Sequence, residues 1–187
     1  MKKRTFDLIL LFIVVIVMLV PIAFIAFSVK LTSSGSVIYW SDRIGKNNRV
    51  FRMPKFRTMR AGTPVVATHL LLNPACYLTP IGSFLRRSSL DELPQLWSVL
   101  MDEMSFVGPR PALFNQFDLI TMRTERGIHL ITPGLTGWAQ INGRDELPIS
   151  VKLEFDMEYL KRRSFLFDLK ILAITFLKVL VNVGVSH

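Results

Sequence analysis

The sequence predicts a mainly helical α+β chain with a small β-element, fastened to a membrane. Three observations predict it. Residues 8–29 carry no charge and are nearly all Leu, Ile, Val, Phe and Ala, long enough to cross a bilayer core. Short strand-like runs between residues 37 and 60 are bounded by Gly, Ser and Asn turns. From residue 86 onward helical patterns dominate, and the chain closes on an apolar tail, residues 165–183, interrupted by Asp168, Lys170 and Lys178. With 187 residues there is enough chain for one domain with a real core, but too little for two plus a membrane segment. The expected organisation is a membrane element over residues 1–30 and one domain over residues 31–187.

Composition narrows the function classes. Half of the residues are hydrophobic and the mean hydropathy is +0.38, more than a small soluble domain needs, so part of that surface should face lipid. A net charge of +9 on such a chain points to anionic headgroups or phosphorylated substrates. No nucleic-acid module is legible, because the aromatics follow apolar rather than basic runs. The single cysteine, Cys76, excludes an internal disulfide and a multi-cysteine zinc site, and it is compatible with a reducing cytoplasm.

The N-terminal run has three readings. It is longer than a signal-peptide core and lacks a convincing cleavage site. A simple spanning helix is compatible with its length, but Pro21 lies inside it and both flanks are basic. A helix that breaks near Pro21 and returns would keep both basic flanks on one side of the membrane. On these residues the spanning and re-entrant forms stand level.

Next come the loop Ser33-Ser34-Gly35-Ser36, a short strand over 37–40, and a turn at Asn47-Asn48. Residues 49–60, RVFRMPKFRTMR, read as extended, with Arg49, Lys55 and Arg57 on one face, suited to a phosphate groove or to an edge facing solvent or headgroups. Residues 61–82 hold three prolines and read as a loop in which His69 is incidental. The central stretch is residues 86–97, RRSSLDELPQLW. Ser89 followed by Glu92 fits a capping box, which would place Asp91 in a first helical turn as an ionised carboxylate. Such acids often do no more than stabilise the turn, and Pro94 limits where the helix can begin. The helix should continue over residues 96–104. Pro109-Arg110-Pro111 presents a guanidinium from a rigid turn. Residues 114–126 read as a polar-faced helix closed by Gly127, and 132–144, TPGLTGWAQINGR, as a loop dense in backbone amides ending in Arg144. Residues 149–163 read as a mostly solvated helix. In the tail, Phe165, Phe167, Leu169, Ile171 and Leu172 are candidates to meet lipid, with the lysines reaching headgroups.

Taken together, KFRTM at 55–59, SSLDELPQLW at 88–97, SFVGPRP at 105–111 and TPGLTGWAQINGR at 132–144 resemble the bacterial sugar transferases known as monotopic phosphoglycosyl transferases. The resemblance covers nearly the whole chain. It implies a re-entrant N-terminal helix broken at Pro21, interfacial amphipathic helices, and a catalytic domain on the cytoplasmic face of the bacterial inner membrane. It also implies transfer of a phosphosugar from a UDP-sugar to polyprenyl (undecaprenyl) phosphate, with release of UMP and dependence on Mg²⁺. By this resemblance Asp91 is the nucleophile and a metal ligand, and Glu92 assists as a base or by holding geometry. Lys55, Arg57, Arg86, Arg110 and Arg144 anchor phosphates. One departure is Val20-Pro21, where the family commonly has Ser-Pro. The competing class is a membrane-anchored interaction module in which the same charges merely pair. Neither the sugar nor the pathway is legible, and an apolar interfacial surface is compatible with a homodimer.

Overall fold

A computed structural model describes residues 3–64, 66, 73–143 and 147–181. The first element, α1 (Lys3–Thr32), is a helix of 30 residues with Pro21 inside it. Helical backbone runs on through Pro21, so the expected break does not interrupt the helix. Proline removes one amide donor and crowds the carbonyl four residues back, which bends a helix more readily than it ends one in an otherwise apolar run. Among the described residues α1 alone is long and apolar enough to cross a membrane. Both of its halves dock on the rest of the chain. Leu11 is buried in the main core, whereas Ile25 and Val29 are buried in a second cluster with Phe56 and Leu85. Between these contacts Ile16, Val17, Leu19 and Val20 stand exposed, Val20 at 77%. Near the N-terminus, Arg4 donates to the carbonyls of Val99 and Leu100 at 2.6 and 2.8 Å, and Asp7 accepts the Phe106 amide at 3.3 Å.

Two small sheets follow. β1 (Ile38–Ile44) and β2 (Val50–Phe56) form an antiparallel hairpin that pairs Ile38 with Phe56 and Ile44 with Val50. The turn between them holds Asn47 and Asn48 at φ 57° and 58°, the left-handed conformation that asparagine tolerates, so the Asn-Asn pair does mark a turn. Pro54 sits in β2, an edge strand, where its missing amide costs no ladder bond. β4 (Ala112–Leu113) adds to the other edge of β1. The second sheet pairs β3 (Ser105–Val107) with β5 (Gly134–Thr136) in parallel.

The helices are α2 (Gly82–Arg87), α3 (Leu96–Leu100), α4 (Phe117–Glu125), α5 (Trp138–Ile141), α6 (Ile149–Arg162) and α7 (Phe165–Val181). Several expectations are corrected. Helix α3 stops at Leu100 instead of running to 104, because Asp102 takes φ 64° and the chain turns into β3. Residues 132–143 do not form an open amide-rich loop: they supply β5 and α5. The glycines there serve close backbone packing, since a Cβ on Gly134 would lie 2.1 Å from the Gly108 amide nitrogen. Amides of the stretch bond to protein carbonyls, Gly134 N donating to Pro109 O, Ile141 N to Gly137 O and Asn142 N to Ala139 O.

Helix α6 is more than a solvated face. It buries Leu153, Asp156 and Tyr159, and the Tyr159 hydroxyl donates to Asp168 at 2.9 Å. In α7, Phe167 and Ile171 turn inward, while Phe165, Leu166, Leu169, Phe176 and Leu177 are exposed, so the outward stripe differs from the one expected. Lys178 bonds the Ile141 carbonyl at 2.5 Å and therefore reaches back to the protein. The main core joins Leu11, Met53, Val99, Met104, Ile128 and Ile171, tying α1 to strands and to the C-terminal helices.

Candidate active site

The site begins with a close approach. A Cβ on Gly82 would lie 2.2 Å from the Thr58 carbonyl oxygen, so only glycine lets α2 start against the backbone just past β2. One turn later Arg86 Nε donates to Thr58 Oγ1 at 3.0 Å. Ser89 then takes φ 57°, which ends α2 and starts a separate 3₁₀ turn over Leu90–Gln95. The capping box expected here does not form: the Ser89 side chain makes no cap bond to that turn. Pro94 lies inside the turn and disfavours a full α-helical ladder. Asp91 and Glu92 are thus carried by a tight turn packed on β2.

These residues face a cleft of about 670 Å³. Lys55, Arg57, Arg86, Asp91, Glu92 and Arg110 all line it. Lys55 Nζ and Arg110 each donate to the same Glu92 oxygen, Oε1, at 3.0 Å. Arg110 is set between two prolines, and its carbonyl accepts a bond from Arg123 at 2.8 Å. Arg123 in turn grips the buried Asp156 at 2.6 and 3.0 Å. Asp156 therefore fixes Arg123, Arg123 the backbone of Arg110, and Arg110 the Glu92 carboxylate.

The adjacent carboxylates are pushed in opposite directions. Burial raises Asp91 to about 6, with Glu92 adding to the rise, while Lys55, Arg86 and Arg110 oppose it. This corrects the expectation of a first-turn acid favoured as a carboxylate: the desolvated setting penalises its charge. Burial would raise Glu92 too, but Arg110 and Lys55 outweigh it and hold that carboxyl well below its ordinary value. The Lys55 ammonium is pushed down by burial and partly restored by Glu92.

Of the residues singled out by sequence, Lys55, Arg86, Asp91, Glu92 and Arg110 are brought to one cleft. Arg57 reaches its wall, but its guanidinium donates to Ser36 O at 2.7 Å and Ser36 Oγ at 3.0 Å, tying the loop after α1 to the end of β2. Arg144 and His69 lie outside the described residues. Pro21 sits in α1, away from the cleft lining. Sequence reading missed Arg123, whose partner is 33 positions away, so no local pattern reveals it; Thr58 lies inside KFRTM, but its partner Arg86 is 28 positions away. Among the described residues no cluster of three or more His, Cys, Asp or Glu could cage a metal. A single carboxylate beside bound phosphates suffices for Mg²⁺, and Asp91 offers one, because Glu92 is already engaged by two cations.

The model of the family described as bacterial sugar transferase matches residues 1–182. A protein of Bacillus subtilis named uncharacterized sugar transferase EpsL is 40% identical, over 99% of this chain and 90% of its own length. The exopolysaccharide production protein ExoY of Sinorhizobium fredii is 36% identical, over 98% and 87%. The UDP-glucose:undecaprenyl-phosphate glucose-1-phosphate transferase of Escherichia coli is 39% identical, over 96% of this chain but 40% of its own length.

Proposed function

The chain belongs to the bacterial sugar transferase family, and on that premise we propose that it moves a sugar phosphate from a UDP-sugar to undecaprenyl phosphate through a covalent intermediate on Asp91. The observation that carries this reading is a buried carboxylate, set beside a neighbour that takes Lys55 and Arg110 on one oxygen, in a cleft lined by Lys55, Arg86 and Arg110. The substrate classes follow the printed names of relatives from Escherichia coli and Xanthomonas campestris.

In the first half-reaction an Asp91 oxygen attacks the β-phosphorus of the donor, and the bond from that phosphorus to the UMP oxygen breaks. Asp91 is then an acyl phosphosugar. In the second, an oxygen of the lipid phosphate attacks the same phosphorus and the aspartate leaves as a carboxylate. Arg86 and Arg110 are placed to take phosphate oxygens, and Lys55 adds a point charge. Asp91 is the carboxylate that would hold Mg²⁺, which would supply charge neutralisation as two anions approach each other. Of the two roles open to Glu92, the geometry supports holding: a carboxylate gripped by Lys55 and Arg110 is a weak base and a firm anchor.

The docking of both halves of α1 on one body, with exposed apolar residues between, supports a re-entrant helix with the domain on the cytoplasmic face, where UDP-sugars are made. The reaction is tested by the intact mass of purified protein after incubation with Mg²⁺ and a panel of UDP-sugars, without lipid acceptor. A phosphosugar adduct on the wild type and none on Asp91→Asn is expected. No adduct with any donor, and no UMP once undecaprenyl phosphate is added, would sink the covalent reading and favour an interaction module.

A further inference from the structure

The turn that carries Arg110 is held mainly by its carbonyls, because Pro109 and Pro111 have no amide hydrogen to give. Each carbonyl of the three has a different donor. Pro109 O accepts from the Gly134 amide at 3.0 Å, Arg110 O from Arg123 Nη1 at 2.8 Å, and Pro111 O from Arg43 Nη1 at 3.2 Å. The turn is thus slung between β5, α4 and β1. Of these donors, Arg43 lies outside the motifs that carry the family resemblance and has no part in the proposed reaction.

The sheet places Arg43 for this contact. β1 is its central strand, and the ladder to β4 pairs Arg43 with Leu113 and Ile44 with Ala112, then ends one residue short of Pro111. The Arg43 side chain extends the grip over that last residue. A second bond orients its guanidinium, Nε donating at 3.0 Å to Oγ of the buried Ser41, two residues back on the same face of β1. A planar fork fixed at one edge aims its other nitrogens in set directions. A lysine carries the same charge on a single nitrogen and lacks the fork that spans both acceptors. The consequence falls on the neighbouring residue: Arg110 donates to Glu92 Oε1 at 3.0 Å, and a shift of the turn would move that guanidinium off the carboxylate. A displacement of about 1 Å in such a group can lower a rate by about 100-fold.

We infer that Arg43 is a positioning residue: its guanidinium, set by Ser41, holds the Pro111 carbonyl and thereby fixes where Arg110 meets Glu92 and the substrate phosphate. The inference rests on the proposed reaction and adds a residue to its machinery. The test is a double-mutant cycle on kcat/KM, read as UMP release by detergent-solubilised protein with Mg²⁺, undecaprenyl phosphate and the UDP-sugar the wild type uses. Arg43→Met should lower kcat/KM about 5- to 30-fold when Arg110 is present, but less than about twofold on top of Arg110→Met, because a strut has no effect once the group it aims is gone. Arg43→Lys should fall to within about threefold of Arg43→Met. Ser41→Ala removes the Nε acceptor and leaves the charge in place; it should cost about two- to fivefold, again only with Arg110 present, and it carries the cycle if Arg43→Met does not fold.

Equal losses with and without Arg110 overturn the inference, since they assign Arg43 its own contact with substrate or a general part in the fold. Full activity of Arg43→Lys overturns it as well, by showing that the charge alone suffices. An active wild type that neither Arg43→Met nor Ser41→Ala impairs removes the inference and leaves the proposed reaction standing. A wild type inert toward every donor refutes the reaction itself, and the inference with it.

Discussion

Replacing Asp91 with Asn should abolish turnover and, at neutral pH, make the protein more stable. In the folded chain burial lifts the Asp91 carboxyl to about 6 from an ordinary 3.8. Ionising it therefore costs more in the folded than in the unfolded state. The folded chain binds this proton more tightly, so stability falls as pH rises from 3.8 through 6, and the full penalty is present above 6. Its size is about 3 kcal/mol from these two values. Asparagine has the shape of the protonated acid and no charge to desolvate, so the variant escapes the penalty. For a domain of this length that is a rise in melting temperature of roughly 6–12 °C. The assay is thermal unfolding of both detergent-solubilised proteins from pH 8 down to pH 3.5. The gap should be widest above pH 6 and close as pH falls below 3.8. A gap that is absent at pH 8, reversed, or constant with pH would refute the claim that Asp91 is held as a costly buried charge.

The same carboxyl should govern the rate: kcat/KM is expected to halve near pH 6 and to drop about tenfold between pH 7 and 5, and a flat profile down to pH 5 would count against it. Arg123→Met leaves Asp156 buried without its cation and should destabilise the fold by about 3–5 kcal/mol, read by denaturant unfolding; a change below about 1 kcal/mol would mean the pair does not hold the turn at Arg110. Cysteines at the exposed Thr5 and Ser34, in a Cys76→Ser background, should both react with an impermeant thiol reagent from the cytoplasmic side of membrane vesicles, and labelling from opposite sides would show a spanning helix.

What sequence reveals here depends on how local the cause is. The apolar run of α1 and the Asn47-Asn48 turn are legible because their causes, charge exclusion and tolerance of positive φ, lie within a few residues. The assembly of Lys55, Arg86, Asp91, Glu92 and Arg110 came from ordered motifs, and folding does bring them to one cleft. Long-range choices were hidden. Nothing near Asp156 announces Arg123, and nothing near Phe167 says that it will stack toward Tyr159 instead of lipid. Glycines in TPGLTGWAQ look like a phosphate loop until the neighbouring strand is known. With β3 alongside, they are the residues that let two backbones touch. Arg57 has the right charge beside the right motif, yet the backbone of Ser36 claims it.

The two acids of the central turn are neighbours in sequence, of similar chemistry, and in one cleft, so sequence alone gives no reason to assign them different work. Their environments do. Glu92 collects both nearby cations on a single oxygen and is stabilised as an anion, which makes it poorly basic, poorly nucleophilic and well suited to fixing where Lys55 and Arg110 sit. Asp91 is desolvated and its charge is only partly offset, which makes its ionised form the more reactive. Glu92 also neutralises part of the positive field that would otherwise hold Asp91 as a quiet, fully compensated carboxylate. On the proposed reaction, a phosphate arriving at the cleft would draw on the cations that Glu92 prearranges, and Asp91 beside it would keep the higher energy that favours attack. On this account exchanging the two residues, Asp91→Glu with Glu92→Asp, keeps the charge but puts each carboxylate at the wrong reach. It should abolish adduct formation even though the cleft retains the same number of acids and bases.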